Sequence, residues 1–464
     1  MKNILIAVLV VVGSLLGISG CDSGGGGRAL SEETKASLDD LIKCAMLQKQ
    51  LTGVAVTVTK NGKPIYQEGF GHADISQGIG VTTETSFPIG SVTKTFTTIA
   101  LMQLIEQGFA SLDDPIGLYL PDLTSDEWKA VTIRELLSMS SGIPENMVCN
   151  SGPKQGETCA PLSPSHPLNS EFNCGEGIAC LAPPGQVPYM DNLVAAEQIT
   201  PLLFEPGTEY LYINMNFVLA GLVVESISGL PYETYLYDNV LEPLGMLRTA
   251  PSTLPLTDTP NSALAYRHLE EGEEPVSESF DCISFDDPPQ GCGPEPIVPA
   301  KCVEIPTDDL TAPFTSFSAG YLTTTQIDMV KYEKALHSLS PMLLDKESYD
   351  QMWTNAQLKN GSYIVFGLGW VVCSALDEET CPDVDPANGG DPSPPTNSEP
   401  AGEISKVVQK DGGVAGFHSQ IVRYLDDGVT VIVFVNTQSP SEGPYGFSVA
   451  NLAHDIGRIV RNSL

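Results

Sequence analysis

Basic residues are scarce in this 464-residue chain. It has 23 Lys and Arg against 58 Asp and Glu, which gives a formal net charge of -35 at pH 7. A surface of this sign repels nucleic acid and anionic membrane surfaces, so the composition argues against both as partners. The acidic residues are spread through loop-like segments such as HLEEGEEPVSESFDCISFDD (268–287), which is typical of a solvated surface.

Motifs for metals are also lacking. No two of the 11 cysteines are spaced as C-x-x-C, which makes a structural zinc site unexpected. The segment DVDPANGGD (383–391) has oxygen ligands, but their spacing does not match a calcium-binding loop. The sequence therefore predicts an activity that needs neither a metal nor a cofactor.

The cysteines instead indicate disulfides. Setting Cys21 aside leaves an even number of cysteines, most of them in loop-like segments, as expected for a protein of an oxidising compartment. The connectivity does not follow from the sequence. The favoured local pair is Cys373 with Cys381, because these residues flank a short loop.

The N-terminus has the layout of an export signal. One lysine precedes an apolar run from Ile4 to Ile18, which is too short and too closely followed by polar residues to be a spanning helix. The stretch ISGC (18–21) resembles a bacterial lipobox, and the glycines at 24–27 resemble a flexible tether. We expect a signal peptide at 1–20, lipidation of Cys21 and a tether at 21–30. The alternative is ordinary signal cleavage near the same place.

In either case we expect the chain to be exported. If Cys21 carries a lipid, the chain would be anchored in the bacterial cell envelope, facing the periplasm or the cell surface.

Strand patterns occur at both ends of the remaining chain, and helical patterns lie between them. GVAVTVT (53–59), an Asn-Gly turn and KPIYQEGFG (63–71) predict a hairpin. Four C-terminal runs predict further strands, before a helix near 447–461: GSYIVFGLGWVV (361–372), ISKVVQK (404–410), FHSQIVRYL (417–425) and GVTVIVFVN (428–436). Thr132 and Glu135 form a capping-box pattern, and a long apolar helix is predicted to end at Gly229.

This arrangement predicts an α+β fold. An antiparallel β-sheet of about five strands, contributed by both chain ends, would be flanked by helices, with a mostly helical region inserted. We expect residues 31–464 to form this domain. Segments rich in Pro, Gly and Cys or acid, near 145–200, 270–305 and 375–402, are predicted to be surface insertions.

The stretch IGSVTKTFTTIALMQLIEQG (89–108) contains a candidate catalytic pair. It predicts an amphipathic helix that opens with Ser91 and presents Lys94 on the same face. A serine hydroxyl needs a neighbouring base, and Lys94 can serve only if it is neutral, which requires burial or a second cation nearby. S-x-x-K alone is weak evidence, since Ser151 and Lys154 form a second copy in a Pro/Gly segment.

The residues around Ser91 resemble a known superfamily. SVTKTFTTIALMQLIEQGFASLDDPIGLYLPDL (91–123) and VTIRELLSMSSGIP (131–144) look like the active-serine region of the serine β-lactamases and penicillin-binding proteins. The resemblance is closest to the class C β-lactamase branch, which also holds D-amino-acid peptidases and esterases. It implies a β-lactamase/transpeptidase-like fold and two further motifs, Y-x-N and K-x-G.

Each further motif has several candidates. For Y-x-N we prefer Tyr212-Ile213-Asn214, which leads into a helix, over Tyr237-Asp238-Asn239. For K-x-G we prefer Lys410-Asp411-Gly412, which continues into the glycine-rich strand, over the Asn-Gly turns beginning at Lys60 and Lys359. Lys410 would then be the second cation that Lys94 requires.

The resemblance implies a role for each residue. Ser91 would be the nucleophile, Lys94 and Tyr212 would accept and return its proton, and Lys410 would lower their pKa values and attract substrate charge. Gly412 and Gly413 would let substrate pair with the strand. The backbone N–H groups of Ser91 and Gly413 would form the oxyanion hole, and Asn214 would bond a substrate amide or Lys94.

Two positions depart from the pattern of the superfamily. Asp411 stands where penicillin-recognising members have Thr or Ser, and it would repel a substrate carboxylate unless its side chain points away. Met139 stands where a histidine is common, which we interpret as a packing change. The predicted reaction is acylation of Ser91 and hydrolysis of a small-molecule or peptide substrate, such as a β-lactam, a cell-wall D-amino-acid peptide or a carboxylic ester. The departures favour an esterase, amidase or D-peptidase over a β-lactamase.

Two rival hypotheses follow from the same sequence. A Ser-His-Asp hydrolase would use His418 or His72, but no G-x-S-x-G elbow is present. A lipoprotein of the cell envelope could also use this fold to bind a partner without turnover.

Overall fold

The computed structural model describes residues 29–123, 125–144, 201–251, 261–269, 278–283, 289, 292, 300–305, 318–373, 407–438 and 448–464. Cys21 and the predicted signal and lipobox lie outside these residues. The same holds for the insertions predicted near 145–200 and 375–402.

The strands form three sheets. In chain order they are β1 (Gly53–Lys60), β2 (Lys63–Asp74), β3 (Ile79–Gly80), β4 (Phe87–Pro88), β5 (Ala250–Pro251), β6 (Tyr266–His268), β7 (Ser279–Asp281), β8 (Lys301–Glu304), β9 (Leu322–Thr324), β10 (Val371–Cys373), β11 (Val407–Val414), β12 (Phe417–Tyr424), β13 (Val429–Val435) and β14 (Thr437–Gln438).

The main sheet has seven strands in the order β10-β11-β12-β13-β1-β2-β3, and all neighbours are antiparallel. The two chain ends meet where β1 pairs with β13, so that Val54 lies opposite Val435. The predicted hairpin is confirmed, because β1 and β2 join through Asn61 and Gly62, which both have positive φ. The α+β prediction with an antiparallel sheet from both ends is therefore confirmed.

One sequence prediction about the strands is wrong. Of GSYIVFGLGWVV only Val371 and Val372 lie in a strand, because Gly369 has a φ of 79° and breaks the extended run. The side chain of Asn355 donates hydrogen bonds to carbonyls of this buried segment. The segment 270–305 contributes β7 and β8 to a small sheet of order β14-β6-β8-β7, and its role as an insertion stays a prediction.

Helices cover both faces of the main sheet. The α-helices are Glu32–Lys49, Thr93–Glu106, Asp126–Lys129, Ile133–Leu137, Asn214–Ser228, Tyr232–Leu236, Glu242–Leu244, Gln326–His337, Lys346–Met352 and Val449–Ser463. Gly90–Val92 and Ile116–Leu118 are 3₁₀ turns, and Tyr237–Leu241 is a π-turn. Among the described residues no single helix is long and apolar enough to cross a membrane; Asn214–Ser228 and Tyr232–Leu244 meet those criteria only as a pair bent by 79°.

The strand register shows which helix lies on which face. Gln409 of β11 lies opposite Val422 of β12, so these two side chains share a face of the sheet. Arg423, the next residue, therefore points to the opposite face. Gln409 bonds His454 of helix Val449–Ser463, whereas Arg423 bonds Glu333 of helix Gln326–His337. The C-terminal helix therefore covers one face, and helix Gln326–His337 covers the other.

We call the helices on the same face of the main sheet as helix Gln326–His337 the second layer. Helix Thr93–Glu106 is the central helix of this layer. Every residue from Thr93 to Leu104 is buried, so the prediction of an amphipathic helix with one inner side is wrong. Its neighbours explain the burial. Phe96 stacks on Tyr332 with ring centroids 4.1 Å apart, and Thr97 bonds the Tyr232 hydroxyl at 2.6 Å. A helix enclosed in this way needs no polar face.

Local signals for helix ends are confirmed. Thr132 caps helix Ile133–Leu137, and Glu135 completes the capping box. Helix Asn214–Ser228 ends at Gly229, whose φ of 69° is the left-handed conformation that a glycine adopts without strain.

Two disulfides involve the segment around β7 and β8: one joins it to the first helix, and the other lies within it. Cys44 of the first helix is bonded to Cys292, and Cys282 is bonded to Cys302. Cys373 is also disulfide-bonded, and its partner lies outside the described residues, as does Cys381. Disulfide formation by these five cysteines agrees with the sequence analysis, whereas the pairing of Cys373 with Cys381 stays a prediction.

A buried ion pair joins the main sheet to the second layer. Arg423 Nε donates to Glu333 Oε2 at 2.8 Å, and the side chains are 3% and 1% exposed. The guanidinium also lies 4.4 Å from the centre of the Trp353 ring. Removing one partner from such a pair leaves an uncompensated charge in a dry environment, which costs more than the pair itself contributes.

We expect Glu333→Gln to lower the free energy of unfolding by about 3–5 kcal/mol, because the Arg423 guanidinium stays buried without its carboxylate. Urea denaturation followed by circular dichroism measures this change. The matched control is Asp350→Asn, which breaks the exposed pair of Lys346 and Asp350 and should cost less than about 1 kcal/mol. Equal losses of unfolding free energy in the two variants would show that the buried pair contributes no more to stability than the exposed pair.

Candidate active site

Ser91 lies in the 3₁₀ turn Gly90–Val92, directly before helix Thr93–Glu106. The helix thus begins two residues later than the sequence predicts, and the serine makes no capping hydrogen bond. The turn is tied to β9 on both sides: Ile89 N–H donates to Leu322 O, and Leu322 N–H donates to Thr93 Oγ1. Ser91 is 5% exposed, so its hydroxyl lies in a nearly closed site.

Lys94 bonds the serine. Its Nζ lies 2.8 Å from Ser91 Oγ, 2.7 Å from Asn214 Oδ1 and 2.7 Å from the carbonyl oxygen of Ala319. The side chain is fully buried. A neutral amine has two N–H donors and one lone pair. Because Asn214 Oδ1 and Ala319 O can only accept, this geometry lets a neutral Lys94 direct its lone pair at the Ser91 hydroxyl.

Tyr212 and Asn214 reach the site from the start of helix Asn214–Ser228. The Tyr212 ring is 5% exposed, and its centre lies 5.1 Å from Lys94 Nζ and 5.1 Å from Lys410 Nζ. The rival Tyr237 is 42% exposed in the π-turn Tyr237–Leu241. The structure thus brings the preferred Y-x-N motif to Ser91.

The preferred K-x-G motif lies on β11. Lys410 is fully buried, and its Nζ donates to both the backbone carbonyl and Oδ1 of Asp411, each at 2.8 Å. The Asp411 carboxylate is therefore turned toward Lys410. The two alternative K-x-G motifs begin at Lys60 and Lys359. Lys60 ends β1, and Lys359 is 54% exposed in an ion pair with Glu205.

Glycines allow β11 to lie directly against the serine turn. A Cβ atom on Gly412 would lie 2.1 Å from Ile89 O and 2.9 Å from Ser91 N, and one on Gly90 would lie 2.7 Å from Gly413 N. Any side chain here would push the strand and the turn apart. The backbone N–H groups of Ser91 and Gly413, predicted to form the oxyanion hole, are thereby brought together.

The edge of β11 beside the site is open in the described part of the chain. β10 pairs only with Val407–Gln409, and no described strand pairs with the same edge from Lys410 to Val414. An extended segment of a substrate could therefore add to β11 at this point, as expected for Gly412 and Gly413.

Sequence reasoning missed two residues of the site. Ala319 supplies its carbonyl to Lys94, and Ser419 Oγ donates to Ile89 O at 2.8 Å, which fixes the serine turn to β12. A backbone carbonyl leaves no mark in the side-chain pattern, and only the strand register places Ser419 opposite Gly412.

The histidine of the rival hypothesis and the second departure, Met139, are also located. His418 is buried on β12 opposite Gly413, and burial lowers its pKa to about 4, although the charge of Asp411 acts in the opposite direction. In the described residues Ser91 Oγ is bonded to Lys94 and not to His418 or His72. Met139 is buried, and its Sδ lies 3.4 Å from Asn216 Nδ2, so a packing role fits this position.

One cluster in the described residues brings potential metal ligands together: His268, Cys282 and Cys302. The two sulfurs are joined in a disulfide, so neither is available as a thiolate ligand.

Comparisons with known proteins agree with this fold. Protein flp of Staphylococcus aureus (strain COL) is 24% identical over 224 residues, which are 48% of this chain and 39% of flp. Penicillin-binding protein 4* of Bacillus subtilis (strain 168) is 21% identical over 413 residues, which are 89% of this chain and 74% of that protein.

Among solved structures, the octameric penicillin-binding protein homologue from Pyrococcus abyssi has the same fold. It aligns with a TM-score of 0.64 and 21% identity, over 92% of this chain and 77% of its own. The family model for β-lactamase matches residues 38–454, nearly the whole described domain. The chain therefore belongs to the β-lactamase family, within the superfamily of serine β-lactamases and penicillin-binding proteins, whose members are mostly serine hydrolases and acyltransferases.

Proposed function

We propose that this protein is a serine hydrolase that cleaves an ester or amide through an acyl-enzyme on Ser91. The observation that carries the proposal is the 2.8 Å contact between Ser91 Oγ and Lys94 Nζ in a buried site. A hydroxyl that touches an amine, shielded from water, is placed to lose its proton as it attacks a carbonyl.

The first step is proton transfer. A neutral Lys94 takes the Ser91 proton. Its own two N–H groups donate hydrogen bonds to Asn214 Oδ1 and Ala319 O. Tyr212, whose ring contacts both buried lysines, then gives its phenolic proton to the leaving group and takes the Ser91 proton from Lys94, so that both residues return to their starting states. Asn214 in this geometry acts by orienting Lys94.

The second requirement is stabilisation of the oxyanion. We expect the N–H groups of Ser91 and Gly413 to bind the carbonyl oxygen of the substrate as it becomes negative. They are fixed before substrate arrives, because Gly412 packs on the serine turn and Ser419 bonds Ile89 O. A water molecule then hydrolyses the acyl-enzyme.

For the finer activity we propose a hydrolase of the class C type that acts as an esterase, amidase or D-peptidase. Its substrates would be small molecules or peptides, with cell-wall peptides among them. Support comes from the similarity to penicillin-binding protein 4* and from the open edge of β11, which suits an extended ligand.

The first test uses the full chain in detergent with a fluorophosphonate probe, a p-nitrophenyl ester, a chromogenic cephalosporin and a D-Ala-D-Ala peptide. We expect labelling and turnover of at least one substrate, both abolished by Ser91→Ala and reduced at least ~100-fold by Lys94→Met, which keeps the length of the buried stem.

The second S-x-x-K copy offers the matched controls. Ser151→Ala and Lys154→Met should leave labelling and turnover at the level of the unchanged protein. If the unchanged protein is neither labelled nor active on any of the three substrates, a non-catalytic binding lipoprotein becomes the better interpretation.

A second test addresses the backbone contact. Gly412→Ala should lower kcat for the substrate found above by about 100-fold or more, because the new methyl group separates Gly413 from Ser91 and removes an oxyanion donor. Gly80→Ala is the control, since a Cβ there meets only Gly71 O at 3.7 Å. An active Gly412→Ala enzyme would mean that the oxyanion is held elsewhere.

We also propose that the protein is exported and anchored in the cell envelope through lipid on Cys21. The disulfides Cys44–Cys292 and Cys282–Cys302 support an oxidising compartment. Metabolic labelling with a palmitate analogue should mark the full chain but not Cys21→Ala. Equal labelling of both chains would contradict the anchor at this residue.

A further inference from the structure

Lys94 can take the proton of Ser91 only while its lone pair points at the serine hydroxyl, and two oxygen acceptors set that direction. One is Asn214 Oδ1 and the other is the carbonyl oxygen of Ala319, each 2.7 Å from Lys94 Nζ. Whatever fixes the Ala319 carbonyl therefore also orients the base.

The residue before Ala319 is held through both of its polar groups. Ser318 Oγ donates to Phe217 O at 2.7 Å, and the Ser318 carbonyl accepts from Thr97 Oγ1 at 2.6 Å. Phe217 lies on the helix that follows the Y-x-N motif, whereas Thr97 lies on the helix that carries Lys94. Ser318 thus joins the two helices whose side chains meet at the serine.

A buried tyrosine supports the threonine. The Tyr232 hydroxyl lies 2.6 Å from Thr97 Oγ1, and its side chain is fully buried. Thr97 has one hydroxyl proton and gives it to the Ser318 carbonyl, which can only accept, so Thr97 accepts in turn from Tyr232. Burial raises the pKa of Tyr232 above its ordinary value, so the phenol keeps the proton that it donates.

We propose that Tyr232, Thr97 and Ser318 are positioning residues of the proposed hydrolase. They fix the Ala319 carbonyl, and through it they hold the lone pair of Lys94 on the serine hydroxyl. This inference rests on the proposed function, because it names the residues that keep the base of that reaction in its productive orientation.

The geometry of an amine explains why one carbonyl matters. A neutral Lys94 has two N–H groups and one lone pair for its three oxygen neighbours. With Asn214 and Ala319 both accepting, the lone pair is left for Ser91. If the Ala319 carbonyl shifts, the amine can rotate, so that it donates to the serine oxygen and its lone pair points elsewhere. The serine then has no base for its proton.

Burial makes the arrangement sensitive to the loss of a single hydroxyl. Tyr232, Thr97 and Ser318 are each 0% exposed. A buried polar group that loses its partner gains no water in exchange, so the peptide unit at Ser318 moves to find another donor. A shift of about 1 Å at a catalytic group is enough to slow a reaction by as much as ~100-fold.

The test measures the rate constant at which a fluorophosphonate labels Ser91 in the full chain in detergent. Labelling reports attack by the serine itself and requires no choice of substrate. The end point of the reaction gives the fraction of molecules that can react. Slow attack and loss of folded protein are therefore separate readings, and a merely structural role would change only the second.

Thr97→Val keeps the shape of the side chain but removes the hydroxyl between Tyr232 and Ser318. We expect the rate constant of labelling to fall about tenfold or more, because the base is no longer held in one orientation. Thr97→Ser restores the hydroxyl and should stay within about threefold of the unchanged protein. If the serine variant reacts as slowly as the valine variant, the position acts by packing and the proposal is wrong.

Tyr232→Phe provides a second variant in case Thr97→Val does not fold, since it removes one oxygen and leaves the buried ring in place. We expect it to slow labelling by about threefold or more, because Thr97 loses its donor. Tyr235→Phe is the matched control. Tyr235 is a buried tyrosine of the same helix, its hydroxyl lies 3.4 Å from Gln103 Oε1, and its variant should react at the unchanged rate.

The remaining outcomes distinguish this inference from the proposed function. Unchanged rate constants in both Thr97→Val and Tyr232→Phe would overturn the positioning role and leave the serine hydrolase intact. Slow labelling of Thr97→Val alone would overturn the part assigned to Tyr232. If the probe does not label Ser91 in the unchanged protein, the proposed function fails, and this inference fails with it.

Discussion

The close approach of β11 to the Gly90–Val92 turn is the contact on which the site depends. Strand and turn meet backbone to backbone, since a Cβ on Gly412 would collide with Ile89 O and one on Gly90 with Gly413 N. Residues from the two ends of the domain sequence meet at this contact. The nucleophile belongs to the helical layer, whereas the oxyanion donor and Lys410 belong to the sheet. The pairing of β11 with β12 and the Ser419 bond to Ile89 O hold the two layers in register.

The two buried lysines of the site are compensated in different ways. Lys94 contacts neutral oxygens, from Ser91, Asn214 and Ala319, whereas Lys410 contacts the carboxylate of Asp411. Neutral dipoles stabilise a buried charge less than an opposite charge does, so an amine among them can exchange its proton at lower cost. The division fits a working base at Lys94 and a fixed charge at Lys410. It also explains why both lysine side chains can lie near one tyrosine ring.

Most of the site could be predicted because its signals are local. The serine and lysine of S-x-x-K lie one helical turn apart, and the Y-x-N and K-x-G motifs sit beside a helix start and in a glycine-rich strand. The errors arose where tertiary packing decides. Helix Thr93–Glu106 is enclosed on all sides by neighbours such as Tyr332 and Tyr232, which an isolated helical pattern cannot show. Likewise Ala319 contributes only a carbonyl, and the bond between Lys410 and Asp411 runs against the alternation that a strand predicts.

The distribution of roles over the two layers suggests how this family can change substrates without losing its chemistry. Proton transfer needs Ser91, Lys94 and Tyr212, which are all fixed by helices of the second layer. On the strand β11, by contrast, Asp411 bonds Lys410 and lies outside these helices. A substitution at this one strand position alters the local charge while the helix packing behind Lys94 stays the same. Specificity and catalysis can thus vary separately, because the contact that joins them is made by glycine backbone rather than by side chains.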